Sequence, residues 1–241
     1  MNVRPPSSKD PRPIKLALFG ASGRMGQAIQ TAARTNGDDF IIAARPAKDV
    51  TIDQLVDSIR DADVLIDFSL PAAFDKNLQA ATRAQKPYVC GVTGLTADQR
   101  AALSSASGEI PLLYSANMSP GINLMRAAIA QIARGLGDAY DISIDELHHI
   151  HKKDAPSGTA VMLADEVRDA RPDWDPQIQS RREGEAPGQH SVYFSGPAET
   201  LVLQHSVNDR SVFAQGALRA AQWIADKPAG EYSMMDVFQG L

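Results

Sequence analysis

The stretch Lys15-Leu-Ala-Leu-Phe-Gly20-Ala-Ser-Gly-Arg-Met-Gly26 decides the fold class of this chain. A short apolar run ends in glycine, and the residues after it, with Met25, Ala28 and Ile29, have helical spacing. This strand, glycine loop and helix form the context of a dinucleotide-binding fingerprint, in which the backbone approaches a pyrophosphate at the helix N-terminus. The spacing is GxxGxxG rather than GxGxxG, and the alternative is a glycine-rich turn that serves packing alone.

The residues beyond this loop alternate between strand-like and helix-like segments as far as residue 115. The further apolar, strand-like runs are 40–44, 64–68, 88–91 and 111–115. Uniformly apolar strands that alternate with helices are typical of a parallel sheet covered on both faces. We therefore predict an α/β fold with a Rossmann-type parallel sheet.

The pattern changes near residue 120 to that of a second, α+β region. Residues 141–148 alternate apolar and polar side chains, which indicates a half-buried strand. Further strands are predicted at 177–182, 191–195 and 199–205, and helices at 121–135, 159–168 and 211–225. This run of strands predicts an open sheet that is mixed or largely antiparallel.

Composition narrows the possible classes of protein. The 241 residues are 44% hydrophobic and 22% charged, with a net charge of −5, which gives no reason to expect binding to nucleic acid or membranes. The single cysteine, Cys90, excludes an internal disulfide framework and suits a reducing compartment. No apolar run reaches the roughly 18 residues of a membrane span, and the first residues lack a signal-peptide core. We expect a cytoplasmic protein with a disordered tail over 1–13.

The end of the second predicted strand bears on the choice of cofactor. An acid there would bind the ribose 2′-hydroxyl of NAD, but the strand ends Ala43-Ala-Arg-Pro46 and the first acid is Asp49. Arg45 is placed to pair with a 2′-phosphate and to stack on adenine, so we predict NADPH, with NADH also compatible. The alternative is a solvated surface arginine.

Three loops at the carboxyl ends of predicted strands are candidates for the walls of the ligand crevice. They are 67–69, 91–94 and 115–118. In open α/β sheets the ligand lies beyond these ends of the strands. Each loop alone is a weak indication, because glycine and asparagine are ordinary turn residues.

The segment from Glu146 to Ala160 concentrates groups that can carry protons and bind anions. Three of the five histidines fall at 148–151, followed by two lysines, an aspartate and a Pro-Ser-Gly-Thr turn before an apolar helix. Free N–H groups at a helix N-terminus bind a carboxylate, and a His/Lys pair can transfer a proton. The alternatives are a solvated strand edge or a metal site. Lysine among the histidines and the absence of cysteine argue against the metal, so we predict none.

Together these motifs resemble the 4-hydroxy-tetrahydrodipicolinate reductase (dihydrodipicolinate reductase) family of diaminopimelate and lysine biosynthesis. The resemblance covers nearly everything from residue 14 onward, and the histidine-rich block is its most specific part. The motifs that carry it are 20–26, 67–69, 91–94, 115–121, 148–159 and 214–221. It implies NAD(P)H-dependent reduction of a small cyclic dicarboxylate.

The resemblance also implies roles for individual residues. His148 takes the family's catalytic position and Lys152 that of the proton donor, whereas His149, Gly158 and Thr159 fall where substrate carboxylates are contacted. The implied cofactor-binding positions are Gly20, Ala21, Ser22, Gly23, Arg24, Met25, Gly91, Val92, Thr93, Ser115, Ala116, Asn117 and Met118. The chain departs from the family pattern in three ways: a short region between the second and third strands, Arg45 where an acid is frequent, and Met118 where an aromatic is common.

The architecture implied by the resemblance is an inserted substrate domain at 120–213, within a dinucleotide-binding domain formed by 14–119 and 214–241. Its open sheet would pair with those of other subunits in a homotetramer, because an uncovered sheet needs a partner. Two other functions stay open: an amino-acid dehydrogenase of the aspartate or homoserine dehydrogenase type, and a non-catalytic dinucleotide-binding sensor. The presence of both His148 and Lys152 argues against the sensor.

Overall fold

The computed structural model describes residues 12–186 and 188–238, so most of the predicted tail lies outside the described residues. The helices are α1 Arg24–Thr35, α2 Ile52–Ser58, α3 Pro71–Arg83, α4 Ala97–Ala106, α5 Pro120–Leu136, α6 Gly158–Ala170, α7 Ser211–Ile224 and α8 Met234–Phe238. The strands are β1 Ile14–Phe19, β2 Phe40–Ala44, β3 Val64–Asp67, β4 Tyr88–Cys90, β5 Pro111–Tyr114, β6 Asp141–His148, β7 Gln177–Arg182, β8 Gln189–Ser195, β9 Thr200–Ser206 and β10 Gly230–Tyr232. Short 3-10 turns occupy Gly37–Asp39 and Gly137–Ala139.

The first sheet has six parallel strands in the order β10-β5-β4-β3-β1-β2. One apolar layer, which includes Ile29 of α1 and Leu218 of α7, covers one face. A second layer, which includes Leu55 of α2 and Leu103 of α4, covers the other. Because all the strands run the same way, their carboxyl ends meet at one edge, where the predicted ligand loops begin. The predicted Rossmann-type sheet is confirmed.

The second sheet is mixed and lies after α5. Its order is β7-β6-β8-β9, with β6 parallel to β7 and antiparallel to β8. Ile129 of α5 and Leu163 of α6 pack with Ile144 and Phe194 of the sheet in one buried cluster. The predicted open, mixed sheet is therefore confirmed.

Two details of the first sheet differ from the sequence prediction, which gave it five strands. The sixth strand, β10, is the three residues Gly230-Glu-Tyr232, which lack the apolar run that revealed the equally short β4. The second strand, β2, is a uniformly apolar run in the sequence, as a central strand would be, but it lies at the edge of the sheet, where Ile41 is 47% exposed. An apolar run therefore does not distinguish an edge strand from a central one.

The chain returns to the first sheet through α7, whose Ala214, Ala217 and Leu218 are buried in the same cluster as β1 and β3. The junction into the second region is Ser119, whose hydroxyl caps α5 and lies 3.2 Å from Nε2 of His205 in β9. The domain limits at 120 and 213 stay a prediction. Within the described residues no helix is both long and apolar enough to cross a membrane.

Candidate active site

The glycine loop between β1 and α1 forms a tight cradle of backbone. Gly20 has a φ of +74°, and a Cβ there would lie 2.6 Å from the carbonyl oxygen of Phe68. A Cβ on Gly26 would overlap the carbonyl of Gly20, so both positions require glycine. Gly23 immediately precedes α1 and has no side chain to cap it, which leaves the first N–H groups of the helix available to an anion. This cradle fits the pyrophosphate of a dinucleotide.

Arg45 is tied to the same loop through one intermediary, Gln30. Its Nε donates to Gln30 Oε1 at 2.6 Å, and Gln30 Nε2 donates to the carbonyl oxygens of Ala21 at 2.9 Å and Gly26 at 3.1 Å. The exposed guanidinium is thereby held beside the cradle rather than free in solvent. This position suits an interaction with the ribose end of a dinucleotide.

The loop after β3 is anchored by a buried carboxylate, that of Asp67. Its oxygens accept hydrogen bonds from the Ser69 backbone N–H at 2.7 Å, Asn77 Nδ2 at 2.8 Å and Tyr88 Oη at 2.6 Å. Burial, together with the nearby Asp67, raises the pKa of Tyr88 well above its usual value, so the phenol stays a proton donor. Such a satisfied network holds the loop rigidly beneath the cradle.

The loops after β4 and β5 place their residues at different depths. In the first, Val92 is buried and Thr93 is exposed. In the second, Ser115 and Met118 are buried, and Asn117 Nδ2 donates to Oγ1 of Thr159 at 3.1 Å. The side chains of Val92 and Met118 therefore belong to the core, and their predicted contact with the cofactor rests on their backbone. The bond to Thr159 joins the predicted cofactor side to the predicted substrate side.

The first turn of α6, the predicted anion site, is open. Ser157 caps the helix by accepting from the Ala160 backbone N–H at 3.1 Å. No atom lies within 4 Å of a Cβ placed on Gly158, so the structure leaves space there for a ligand. With Thr159 next in the chain, a hydroxyl and backbone N–H groups converge where a carboxylate gains charge-assisted hydrogen bonds.

The predicted proton-carrying pair lies beside this turn. His148 ends β6 and is nearly buried, with Nδ1 3.2 Å from Glu146 Oε2. Lys152 Nζ lies 2.8 Å from both carboxylate oxygens of Asp154. Burial lowers the pKa of His148, as does the positive charge of Lys152, while the charge of Glu146 opposes the shift. The positive charge of Lys152 thus reaches His148.

His149 points to a different neighbourhood. It lines a cavity of about 720 Å³ together with residues of α1 and with Arg210 and Gln215 near the start of α7. Its ring centroid is 6.1 Å from that of His151, which is exposed and faces Glu185 at 3.6 Å. The contact of His149 with a substrate carboxylate therefore stays a prediction.

Comparison with known proteins accounts for nearly the whole chain. Residues 14–118 match the family described as dihydrodipicolinate reductase, N-terminus, and residues 121–238 match dihydrodipicolinate reductase, C-terminus. The chain belongs to the dihydrodipicolinate reductase family. It is accordingly an oxidoreductase, with a nicotinamide dinucleotide as its cofactor.

Relatives of this reductase match it over almost their full length. The 4-hydroxy-tetrahydrodipicolinate reductase of Zymomonas mobilis subsp. mobilis is 38% identical over 245 residues, covering 93% of this chain and 96% of the relative. That of Rickettsia bellii is 39% identical over 241 residues, covering 95% and 96%. Dipicolinate-bound dihydrodipicolinate reductase from Paenisporosarcina sp. TG-14 has the same fold, with a TM-score of 0.79 at 21% identity over 92% of this chain and 97% of that one.

The sequence prediction assigned no role to three polar residues beside the candidate site: Glu146 and His190, which are buried, and Arg182, which is half-buried. Glu146 shares the inner face of β6 with Ile142 and Ile144, so a carboxylate at a period-two buried position was the available signal. Arg182 and His190 come from β7 and β8, and only the register of the sheet brings them to Glu146.

Proposed function

We propose that this dihydrodipicolinate reductase converts 4-hydroxy-tetrahydrodipicolinate to tetrahydrodipicolinate in diaminopimelate and lysine biosynthesis. NADPH would supply a hydride to the conjugated ring, Lys152 with His148 would supply the proton, and the 4-hydroxyl would leave as water. The observation that carries the proposal is the 3.1 Å hydrogen bond between Asn117 and Thr159, which supports it because these residues belong to the predicted cofactor loop and the predicted anion site. This short separation is what hydride transfer between two bound molecules requires.

Other residues of the chain would bind the cofactor and the substrate and hold the proton donor in position. The cradle at Gly20 and Gly26 and the first turn of α1 would hold the pyrophosphate. Gly158 and Thr159 would hold a substrate carboxylate and so orient the ring. Asp154 keeps Lys152 Nζ in one place through two contacts of 2.8 Å, so its proton has a defined position. The protein thus contributes positioning and charge, while the hydride chemistry belongs to the nicotinamide.

An NADPH oxidation assay coupled to dihydrodipicolinate synthase, pyruvate and aspartate semialdehyde tests the proposal. We expect oxidation that depends on the synthase. Pyridine-2,6-dicarboxylate, a planar mimic with both carboxylates, should inhibit competitively. Oxidation with aspartate semialdehyde or homoserine-pathway substrates alone would instead favour the other type of amino-acid dehydrogenase, and no turnover with any substrate would favour the sensor.

We further propose a cytoplasmic homotetramer formed through the second sheet. Leu201 and Val202 of its edge strand β9 are 41% and 42% exposed, which supports burial against another subunit. Sedimentation equilibrium measures the assembly directly, and a monomeric mass at micromolar concentration would contradict it.

Thr159→Val is expected to raise the substrate KM by about 10-fold or more, because it removes a hydroxyl donor to a carboxylate. The KM for NADPH should change little. Thr82→Val is the matched control, since the Thr82 hydroxyl donates only to the Leu78 carbonyl within α3. A substrate KM equal to that of the control would remove Thr159 from the binding site.

Arg45→Ala is expected to weaken the binding of NADPH by roughly 10- to 150-fold, which corresponds to about 1.5–3 kcal/mol from one charge-assisted contact. NADH should bind nearly as before, so the preference between the cofactors collapses. Calorimetric titration of both cofactors measures this, with Arg34→Ala at the exposed end of α1 as control. Equal losses for NADPH and NADH would mean that Arg45 stacks on adenine and does not recognise the phosphate.

A further inference from the structure

Glu146 lies between three parts of the candidate site: His148, the loop that carries Lys152 and Asp154, and the first turn of α6. Its side chain is fully buried, although it carries a carboxylate. Burial alone would raise its pKa, but hydrogen bonds from Ser157, Ser180 and Arg182 lower the pKa to about 2, so it is ionised throughout the neutral range. A buried charge of this kind is costly unless its partners are well placed, and here the partners come from β7 and from the residue that caps α6.

One carboxylate oxygen, Oε1, connects two of those segments. It accepts from the Ser157 backbone N–H at 3.1 Å, at the start of α6, and from Nη2 of Arg182 at 3.0 Å. Arg182 in turn donates through Nε to the Lys152 carbonyl at 3.3 Å and through Nη2 to the Asp154 carbonyl. The Lys152 loop and the anion site are therefore tied to the same atom.

The other oxygen, Oε2, faces two imidazoles. It lies 3.2 Å from Nδ1 of His148 and 3.7 Å from Nε2 of His190. Both atoms are buried, and among the described residues neither makes a hydrogen bond, so their 3.2 Å contact leaves each available to the other. His190 Nε2 is also 3.1 Å from the hydroxyl of Ser157, which links this side back to α6.

We propose that Glu146 is the positioning residue of this active site, fixing the imidazole of His148 through Oε2 and, with Arg182 on Oε1, the Lys152 loop and the first turn of α6. The inference rests on the proposed roles of His148 and Lys152. It predicts that neutral His148 carries its proton on Nδ1, donated to Glu146, and leaves Nε2 free for proton exchange.

A metal ion is the competing use of these groups, because ligand atoms of Glu146, His148 and His190 lie within 4.8 Å of one another. Arg182 already occupies Oε1, and the Lys152 charge reaches His148. Two adjacent cations oppose the binding of a third, so the geometry favours the ion-pair network. Activity that is lost on dialysis against EDTA and restored by Zn²⁺ would overturn the proposal.

The kinetic test compares Glu146→Gln with Asp145→Asn, its neighbour on the same strand. Asp145→Asn should behave as wild type, while Glu146→Gln should lower kcat by about 10-fold or more, with the KM for NADPH within about threefold of wild type. Loss of kcat in neither variant, or equally in both, would overturn the proposal.

The pH dependence of kcat distinguishes a positioning role from a general loss of stability, because a loss of stability would not shift the pH at which kcat falls. The charged and titratable groups facing His148 are Glu146, Lys152, Asp154, Arg182 and His190. If protonated His148 is needed, kcat falls as pH rises through its pKa. Glu146 raises that pKa and Arg182 lowers it. Glu146→Gln should therefore move this limb to lower pH by about one unit, and Arg182→Met should move it to higher pH. Shifts in the same direction would contradict the inference.

The tautomer of His148 in the unaltered enzyme tests the role of Glu146 even if Glu146→Gln fails to fold. Nitrogen-15 NMR of histidine-labelled protein, with His148→Asn for assignment, should find the Nδ1–H tautomer at His148, and the Nε2–H tautomer would overturn the proposal. His148→Ala separates the two hypotheses. If it keeps full kcat, the proposed role of His148 fails; if it loses kcat while Glu146→Gln does not, only the inference about Glu146 fails.

Discussion

Alanine at His148 or at Lys152 is expected to lower kcat by about 100-fold or more, the typical size for a lost general acid. Both residues lie close to the predicted anion site at the start of α6, and burial, together with the charge of Lys152, lowers the pKa of His148. The KM for NADPH should barely change, because neither residue lies on the loops that form the cradle. Steady-state kinetics in the synthase-coupled assay measures both parameters.

The chain supplies matched controls for this pair. His151 is 71% exposed at its side chain and faces Glu185, and Lys153 is exposed next to Lys152. Alanine at either control position should leave kcat close to wild type. If all four variants behave alike, the proton-transfer role belongs elsewhere, and if only the two controls lose activity, the assignment of the pair is wrong.

The fold was predictable because its signals are local. The glycine loop after β1 and the alternation of apolar strands with helices each occupy a few consecutive residues, and they determine a parallel sheet without knowledge of distant pairings. The strand β10 was missed because its three residues, Gly230-Glu-Tyr232, do not form an apolar run. That β2 lies at the sheet edge depends on strand order, which the chain encodes only through packing.

The candidate site shows the same difference between local signals and contacts that only the fold creates. His148, Lys152 and Thr159 belong to one contiguous segment, so the chemistry of their side chains could be combined on sequence alone. Arg182 reaches that segment because β7 pairs in parallel with β6, with Arg182 opposite His148 in the register. The hydrogen bond from Asn117 to Thr159 spans 42 residues of chain. Contacts of this kind depend on the tertiary fold.

A close contact between α7 and the predicted cofactor loop at 115–118 predicts the second large effect, a loss of stability. Gly216 of α7 packs so closely on Met118 that an added Cβ would overlap the Met118 carbonyl oxygen and lie 2.9 Å from its carbon. Because backbone on both sides must shift, Gly216→Ala should destabilise the protein by about 1–3 kcal/mol or more, the usual range for overpacking. For a protein of this size, 3 kcal/mol corresponds to roughly 6–12 °C in Tm.

The control for this substitution is Gly135→Ala near the end of α5, where no atom lies within 4 Å of an added Cβ. Alanine there should stabilise the helix by about 0.5–1 kcal/mol, so the two identical changes should have opposite signs. Since Met118 belongs to the loop that also holds Asn117, Gly216→Ala should raise the KM for NADPH as well as lower Tm. Thermal unfolding and cofactor titration of both variants measure this. If Gly216→Ala is as stable as wild type, α7 does not press on the cofactor loop. If it is destabilised but binds NADPH normally, the contact supports the fold alone.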